Sequence, residues 1–144
     1  MNKSLTRSDW EAKAKALTIR SQAFINGRCV DAIKGKTFSC ISPIDGICLS
    51  QVAECGQEDI ERAVKAARAA FDAGSWSEAS PAHRKRTLQK FALLIERHAE
   101  ELALLESIDM GKPVADALSI DVSASVRCLS WTAEAVDKVY GEIA

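Results

Sequence analysis

The chain has 144 residues, 47% of them hydrophobic, and its nineteen Lys and Arg against twenty Asp and Glu give a net charge of −1. That is one domain's length, enough to bury roughly 70% of the unfolded surface in a core of its own. The even charge balance excludes a nucleic-acid binder, which needs a cationic excess, and no apolar run approaches the roughly 20 residues that cross a bilayer.

Residues 1–10 lack the apolar block of a secretory signal, so a cytoplasmic protein is expected. The spacing predicts a helix over residues 8–17, with Ser8 and Glu11 as a capping box in which each side chain satisfies a free backbone N–H. Asn26-Gly27 suits the positive φ angles of a tight hairpin between Ala23-Phe24-Ile25 and Arg28-Cys29-Val30. Two further strands are expected over residues 37–41 and 47–53, punctuated by Ser42-Pro43-Ile44-Asp45-Gly46, and the four strands read as one small antiparallel sheet.

From Gly56 onward the chain turns to Ala, Leu, Glu, Lys and Arg, a helical composition. Glu58 and Asp59 complement the positive end of the first long helix, whose apolar stripe is Ile60, Val64, Ala67 and Phe71. Gly74 ends it. Ser80-Pro81 opens a second long helix with Leu88, Phe91, Ile95, Leu102 and Leu105 on its buried face, ended by Gly111-Lys112-Pro113. A third is expected over residues 114–140 with Leu118, Val122, Leu129, Val136 and Tyr140 inward, stopped by Gly141. The division is then a helical extension (1–20), a β-arm (21–56) and a three-helix part (57–144). Ile60, Val64, Phe71, Leu118 and Val122 need more covering surface than the small β-arm offers.

Chemistry-bearing constellations are sparse. Cys29, Cys40, Cys48, Cys55 and Cys128 form an odd set with no C-x-x-C pair, which suits free thiols in a reducing compartment. His83 and His98 lie far in sequence from every cysteine, so no zinc pattern arises. Gly111-Lys112 lacks the rest of a phosphate loop, since Glu106 stands where the first Gly belongs and Pro113 where a Ser or Thr belongs. No G-x-G occurs, so the dinucleotide fingerprint is missing. His83-Arg84-Lys85-Arg86 reads as the solvated face of the second helix. From these patterns alone the chain has no visible active site.

Its residues nevertheless resemble a family. Phe24-Ile25-Asn26-Gly27, the Ser42-Pro43…Gly46 turn, Ala63-Val64-Lys65-Ala66-Ala67-Arg68-Ala69-Ala70-Phe71 and Leu104-Leu105-Glu106-Ser107-Ile108-Asp109-Met110-Gly111-Lys112-Pro113 follow one another as in the N-terminal part of an aldehyde dehydrogenase. Trp131-Thr132-Ala133-Glu134-Ala135-Val136-Asp137-Lys138-Val139-Tyr140-Gly141-Glu142 is most similar to the γ-glutamyl-γ-aminobutyraldehyde dehydrogenases of putrescine breakdown. The resemblance covers about residues 20–144. It implies an α/β fold with a Rossmann-type cofactor domain, of which this chain would be the β-arm and outer helices. It also implies oxidation of an aldehyde to a carboxylic acid with NAD or NADP, in a homo-oligomer of two or four chains.

In that family a cysteine in a Gly-Gln-x-Cys context attacks the aldehyde, a glutamate activates the water, and an asparagine with backbone N–H groups steadies the oxyanion. None of these contexts occurs here; Cys55-Gly56-Gln57 has the letters in the wrong order. No catalytic or cofactor-binding residue is therefore expected in this chain. The resemblance does place a monovalent cation at the backbone carbonyls of Cys40 and Ile41 with the Asp109 carboxylate, a sensible hard-cation set. Asp109 has a plainer role open to it, bonding the helix-end backbone, and Ser42 stands where the family usually has Asn. The resemblance also puts Ile120, Ala124 and, beside them, Asp121 at the substrate entrance, where the carboxylate would attract an amine-bearing aldehyde. The plainer alternative makes Ile120 core and Asp121 a solvated charge. A stand-alone helical protein-interaction module, or a gene remnant that kept the shape without the chemistry, is the competing reading of the whole chain.

Overall fold

A computed structural model describes residues 5–138. Its first helix, α1 (Arg7–Ala16), is capped two residues earlier than the sequence spacing suggests. The box is formed by Thr6 and Asp9, not by Ser8 and Glu11: the Asp9 amide donates to Thr6 Oγ1 and the Thr6 amide to Asp9 Oδ2 at 2.8 Å. Glu11 instead accepts from Arg7 Nε at 2.8 Å.

β1 (Ala23–Ile25) and β2 (Arg28–Val30) form the expected hairpin, with Phe24 opposite Cys29. Asn26 and Gly27 both take positive φ, 53° and 75°, the twist that a two-residue hairpin requires. β3 (Thr37–Ile41) pairs antiparallel with β4 (Cys48–Ala53), and the register slips between Cys40 and Ile41. The four strands are two separate two-stranded sheets and not one. Single backbone bonds, Ala53 N–H to Ser21 O and Glu54 N–H to Lys36 O, tie β4 to the preceding segments.

α2 (Gln57–Asp72) starts where Asp59 does more than face the helix dipole. Only 2% exposed, it accepts the Gly56 amide at 3.0 Å and reaches across to the Ile33 amide at 3.1 Å, joining helix and β-arm. The α2 stripe is not covered within the chain. Ile60, Val64 and Phe71 are 57%, 62% and 60% exposed, while Leu118 is half-buried and Val122 buried.

The expected second helix is two. α3 (Pro81–Arg97) ends at His98, whose φ of −103° and ψ of 18° leave the helical region, and α4 (Ala99–Met110) begins there. Ser80 caps α3 as expected, accepting from the His83 amide, with Pro81 at the first helical position. On the expected inward face Phe91 and Leu102 are exposed, and Leu88, Ile95 and Leu105 half-buried. Three long helices are therefore a correction, because the third also breaks up. After α5 (Val114–Asp116) comes a π-helical turn over Ala117–Val122, then α6 (Ser123–Ala135). Tyr140 and Gly141 lie outside the described residues.

α6 packs along α3, and the π turn packs against α4. The interior is made of alanines: Ala103, Ala117 and Ala133 are fully enclosed, Val122 packs with the first two, and no large side chain among the described residues is fully enclosed. Alanine at a crossing lets two helix backbones approach closely, so the apolar stripe of Leu and Val is not where the tightest packing sits. The supposedly solvated cluster at the start of α3 is partly packed too. Arg84 and Lys85 are half-buried, and Lys85 reaches Glu134 of α6 at 2.6 Å, with Gln89 on the same carboxylate.

The chain exposes 10912 Å². A compact monomer of 15.6 kDa exposes about 7,200 Å².

Candidate functional site

The Gly111-Lys112-Pro113 turn is the junction of the molecule. Gly111 ends α4 in the left-handed region, φ 73°, where its amide bonds to Ser107 O, and the Ser107 hydroxyl donates to Lys112 O at 2.6 Å. Pro113 then caps α5 and prevents the helix from running on. A Cβ on Gly111 would stand 3.2 Å from Pro43 Cγ, so the turn rests directly against the β3–β4 turn.

That second turn is a closed unit. Ser42, buried, bonds through its amide to Ile47 O and accepts the Ile44 amide on its hydroxyl at 3.2 Å, while Gly46 N–H returns to Ser42 O. Hydrogen bonds from Ser42 and the Ile47 amide hold the Asp45 carboxyl below its ordinary range. Serine at position 42 thus supplies its own turn-closing bond.

The contact between the two turns brings Asp109 to β3. The Cys40 thiol donates to Asp109 Oδ1 at 3.3 Å, and this bond, with burial, pushes the thiol pKa up. A raised pKa leaves less thiolate, so Cys40 is a poor nucleophile. Asp109 bonds across to the strand rather than to its own helix end. Ile41, exposed, follows at the register slip. The Asp109 carboxylate thus lies against the end of a strand whose regular pairing has just slipped. A mostly apolar cavity of about 360 Å³, walled by Ile19, Leu49, Leu105 and Met110 and carrying the Asp109 and Glu106 side chains in its lining, opens there.

The other predicted residues lie in the π turn and the first turn of α6. Ile120, in the π turn, is 55% exposed and not core. Ala124, in the first turn of α6, is half-buried. Asp121 is neither solvated nor free: its carboxylate pairs with the Lys112 ammonium, both side chains being 31% exposed. The partner carboxylate holds the Lys112 pKa above its ordinary value. With the ammonium against it, Asp121 presents a dipole outward and little net charge, which weakens its pull on a distant amine.

Sequence reading missed Lys112 as the partner of Asp121, because nine residues and a chain reversal separate them. The available signal was the Gly-Lys-Pro turn itself, which sends the lysine back over the next helix. The five thiols are free, and among the described residues no group of three His, Cys, Asp or Glu side chains could hold a metal ion. No described helix is long and apolar enough to cross a membrane.

Comparison with known proteins agrees with this architecture. The model of the aldehyde dehydrogenase family matches residues 30–144. The NADP/NAD-dependent aldehyde dehydrogenase PuuC of Escherichia coli (strain K12) is 47% identical over 135 residues, which are 94% of this chain and 27% of that protein. The solved γ-glutamyl-γ-aminobutyraldehyde dehydrogenase of Burkholderia cenocepacia J2315 superposes with a TM-score of 0.94 at 50% identity, over 97% of this chain and 28% of that one. An indole-3-acetaldehyde dehydrogenase of P. syringae, solved with NAD+ and IAA, gives 0.95 at 53%, over 98% and 28%. The chain spans little more than a quarter of the length of the relatives it matches, and it belongs to the aldehyde dehydrogenase family.

Proposed function

We propose that this chain is the opening segment of an NAD(P)-dependent aldehyde dehydrogenase that oxidises γ-glutamyl-γ-aminobutyraldehyde, or a related amino-aldehyde, to the acid. Residues 1–20 form a helical extension, 21–56 its β-arm and 57–144 the helical part of an incomplete cofactor domain. The carrying observation is surface. The chain exposes 10912 Å² where about 7,200 Å² suffices for a compact monomer, and the excess is the size of an obligate interface. The apolar stripe of α2 belongs to that excess. The same openness disfavours a stand-alone interaction module, which would have to keep this surface soluble.

The substrate reading is supported by the relatives named for γ-glutamyl-γ-aminobutyraldehyde and, in PuuC, for both cofactors. NAD or NADP, bound by other parts of the fold, supplies the hydride acceptor. The residues present here contribute scaffold. Asp109 and the end of β3 hold a monovalent cation at the turn junction, and Ile120 and Ala124 form part of the entrance wall. The described thiol that meets a carboxylate, Cys40 at Asp109, has its pKa raised by that bond and so holds less thiolate, and on this reading the chain by itself does not turn over aldehyde.

The test compares the 144-residue chain with the full-length protein that contains it. Full-length protein should reduce NAD+ or NADP+ with γ-glutamyl-γ-aminobutyraldehyde at a kcat/KM above that for indole-3-acetaldehyde. The chain alone should be inert and should bind a hydrophobic dye. A cooperative melt without dye binding would instead establish the module. For the cation, potassium should raise the Tm of the full-length protein, and Asp109→Ala should abolish that rise; an unchanged potassium response removes the site.

A further inference from the structure

The π turn over Ala117–Val122 is wider than an α-turn, and its side chains fit that width. Ala117 and Val122, five residues apart, are both buried, which is the π spacing and not the α spacing. The Ser123 hydroxyl donates to Leu118 O at 3.1 Å, again five residues back, whereas that of Ser125, in α6, donates to Asp121 O four residues back at 2.9 Å. Such a turn competes with an ordinary α-helix in which one residue is taken up. That change rotates everything on one side of it by about 100° around the axis. Ile120 sits within the turn, so the direction it faces depends on which of the two forms holds.

One contact fixes the turn from outside. Lys112 starts from a rigid point: its carbonyl is held by Ser107, Gly111 before it is the left-handed cap, and Pro113 follows. Its ammonium meets Asp121 inside the π turn. An ordinary surface ion pair contributes little, because two long side chains must be ordered in full solvent. Here both partners are two-thirds covered and the lysine backbone is already fixed, so less freedom is lost in closing the pair.

We propose that Lys112 is a positioning residue for the aldehyde entrance: its ion pair with Asp121 holds the π turn open and thereby sets how Ile120 faces the incoming substrate. The role at the entrance rests on the dehydrogenase reading above; the clamp on the turn does not. Asp121 then serves the entrance through its lysine and not as an anchor for the substrate amine.

Three variants test it: Lys112→Met, Asp121→Asn, and the exchanged pair Lys112→Asp with Asp121→Lys. In the full-length protein, amide hydrogen exchange over residues 118–122 should quicken roughly tenfold in each single variant and return in the exchanged pair. In the full-length protein KM for the aldehyde should rise roughly tenfold in the single variants with kcat within about twofold, and the exchanged pair should recover most of it. Unchanged exchange in both single variants overturns the clamp. Quickened exchange with unchanged KM overturns the positioning role. A KM that rises for amino-aldehydes alone, and that the exchanged pair fails to restore, makes Asp121 an amine anchor and overturns the proposal. A full-length protein without aldehyde oxidation overturns the dehydrogenase reading, and the exchange measurement still decides whether Lys112 holds the turn.

Discussion

Two helical regions of this molecule meet different fates. α3 and α6, with α4 and the π turn, enclose Ala103, Ala117 and Ala133 fully, and Lys85 and Gln89 of α3 hold Glu134 of α6, although Phe91 and Trp131 of the same region stay exposed. α2 has a stronger apolar stripe, yet Ile60, Val64 and Phe71 stand in solvent, and a buried carboxylate joins the helix to the β-arm. An amphipathic stripe states that a helix face will be covered. It does not state that the covering surface lies in the same chain.

The sharpest way to break this comparison is to enlarge an alanine in each region. Ala117→Leu forces a branched side chain into a filled crossing and should cost about 3 kcal/mol in urea unfolding. Ala67→Leu, on the exposed face of α2, should change stability by no more than about 0.5 kcal/mol. Equal losses would mean that α2 is covered in solution. Next in size, Asp59→Ala strands two amides, those of Gly56 and Ile33, and should cost about 2 kcal/mol. Its signature is faster exchange at both amides together, since one carboxylate serves helix and arm. Gly111→Ala follows, at about 1–2 kcal/mol for the left-handed backbone, with further loss wherever Pro43 cannot give way.

The smallest effect is that of pH on the α3–α6 seam. The hydrogen bond from Lys85 lowers the Glu134 pKa in the folded chain, and the same pair raises that of Lys85. The glutamate's contribution is therefore present above its unfolded pKa and lost as pH falls through the folded value. The lysine's is present below its unfolded pKa and lost as pH rises through its folded value. Glu134→Gln should flatten the acid side of the stability profile while leaving the neutral plateau nearly unmoved, as suits an exposed carboxylate. An unchanged acid limb would show that the seam is held by its alanines alone.

Much of the local structure was legible in the residues. Asn26-Gly27 determined the hairpin, because few other pairs accept two positive φ angles. Ser80-Pro81 and Gly111-Lys112-Pro113 bounded the helices for equally local reasons, a side-chain acceptor, a fixed φ and a missing Cβ. The approach of Asp109 to Cys40 was readable only through resemblance, since 69 residues separate them.

What the tertiary structure alone decided lies where distant segments compete for the same atoms. The break at His98, the splitting of the strands into two sheets and the π turn all depend on what each backbone packs against, and period counting along one helix is blind to that. The pairing of Lys112 with Asp121 is of the same kind: the sequence supplied both charges, but only the reversal at Pro113 set one against the other. Apolar periodicity, caps and turns act over a few residues and can be read directly. Enclosure is a property of surfaces brought together, and in this chain a large part of the surface remains open.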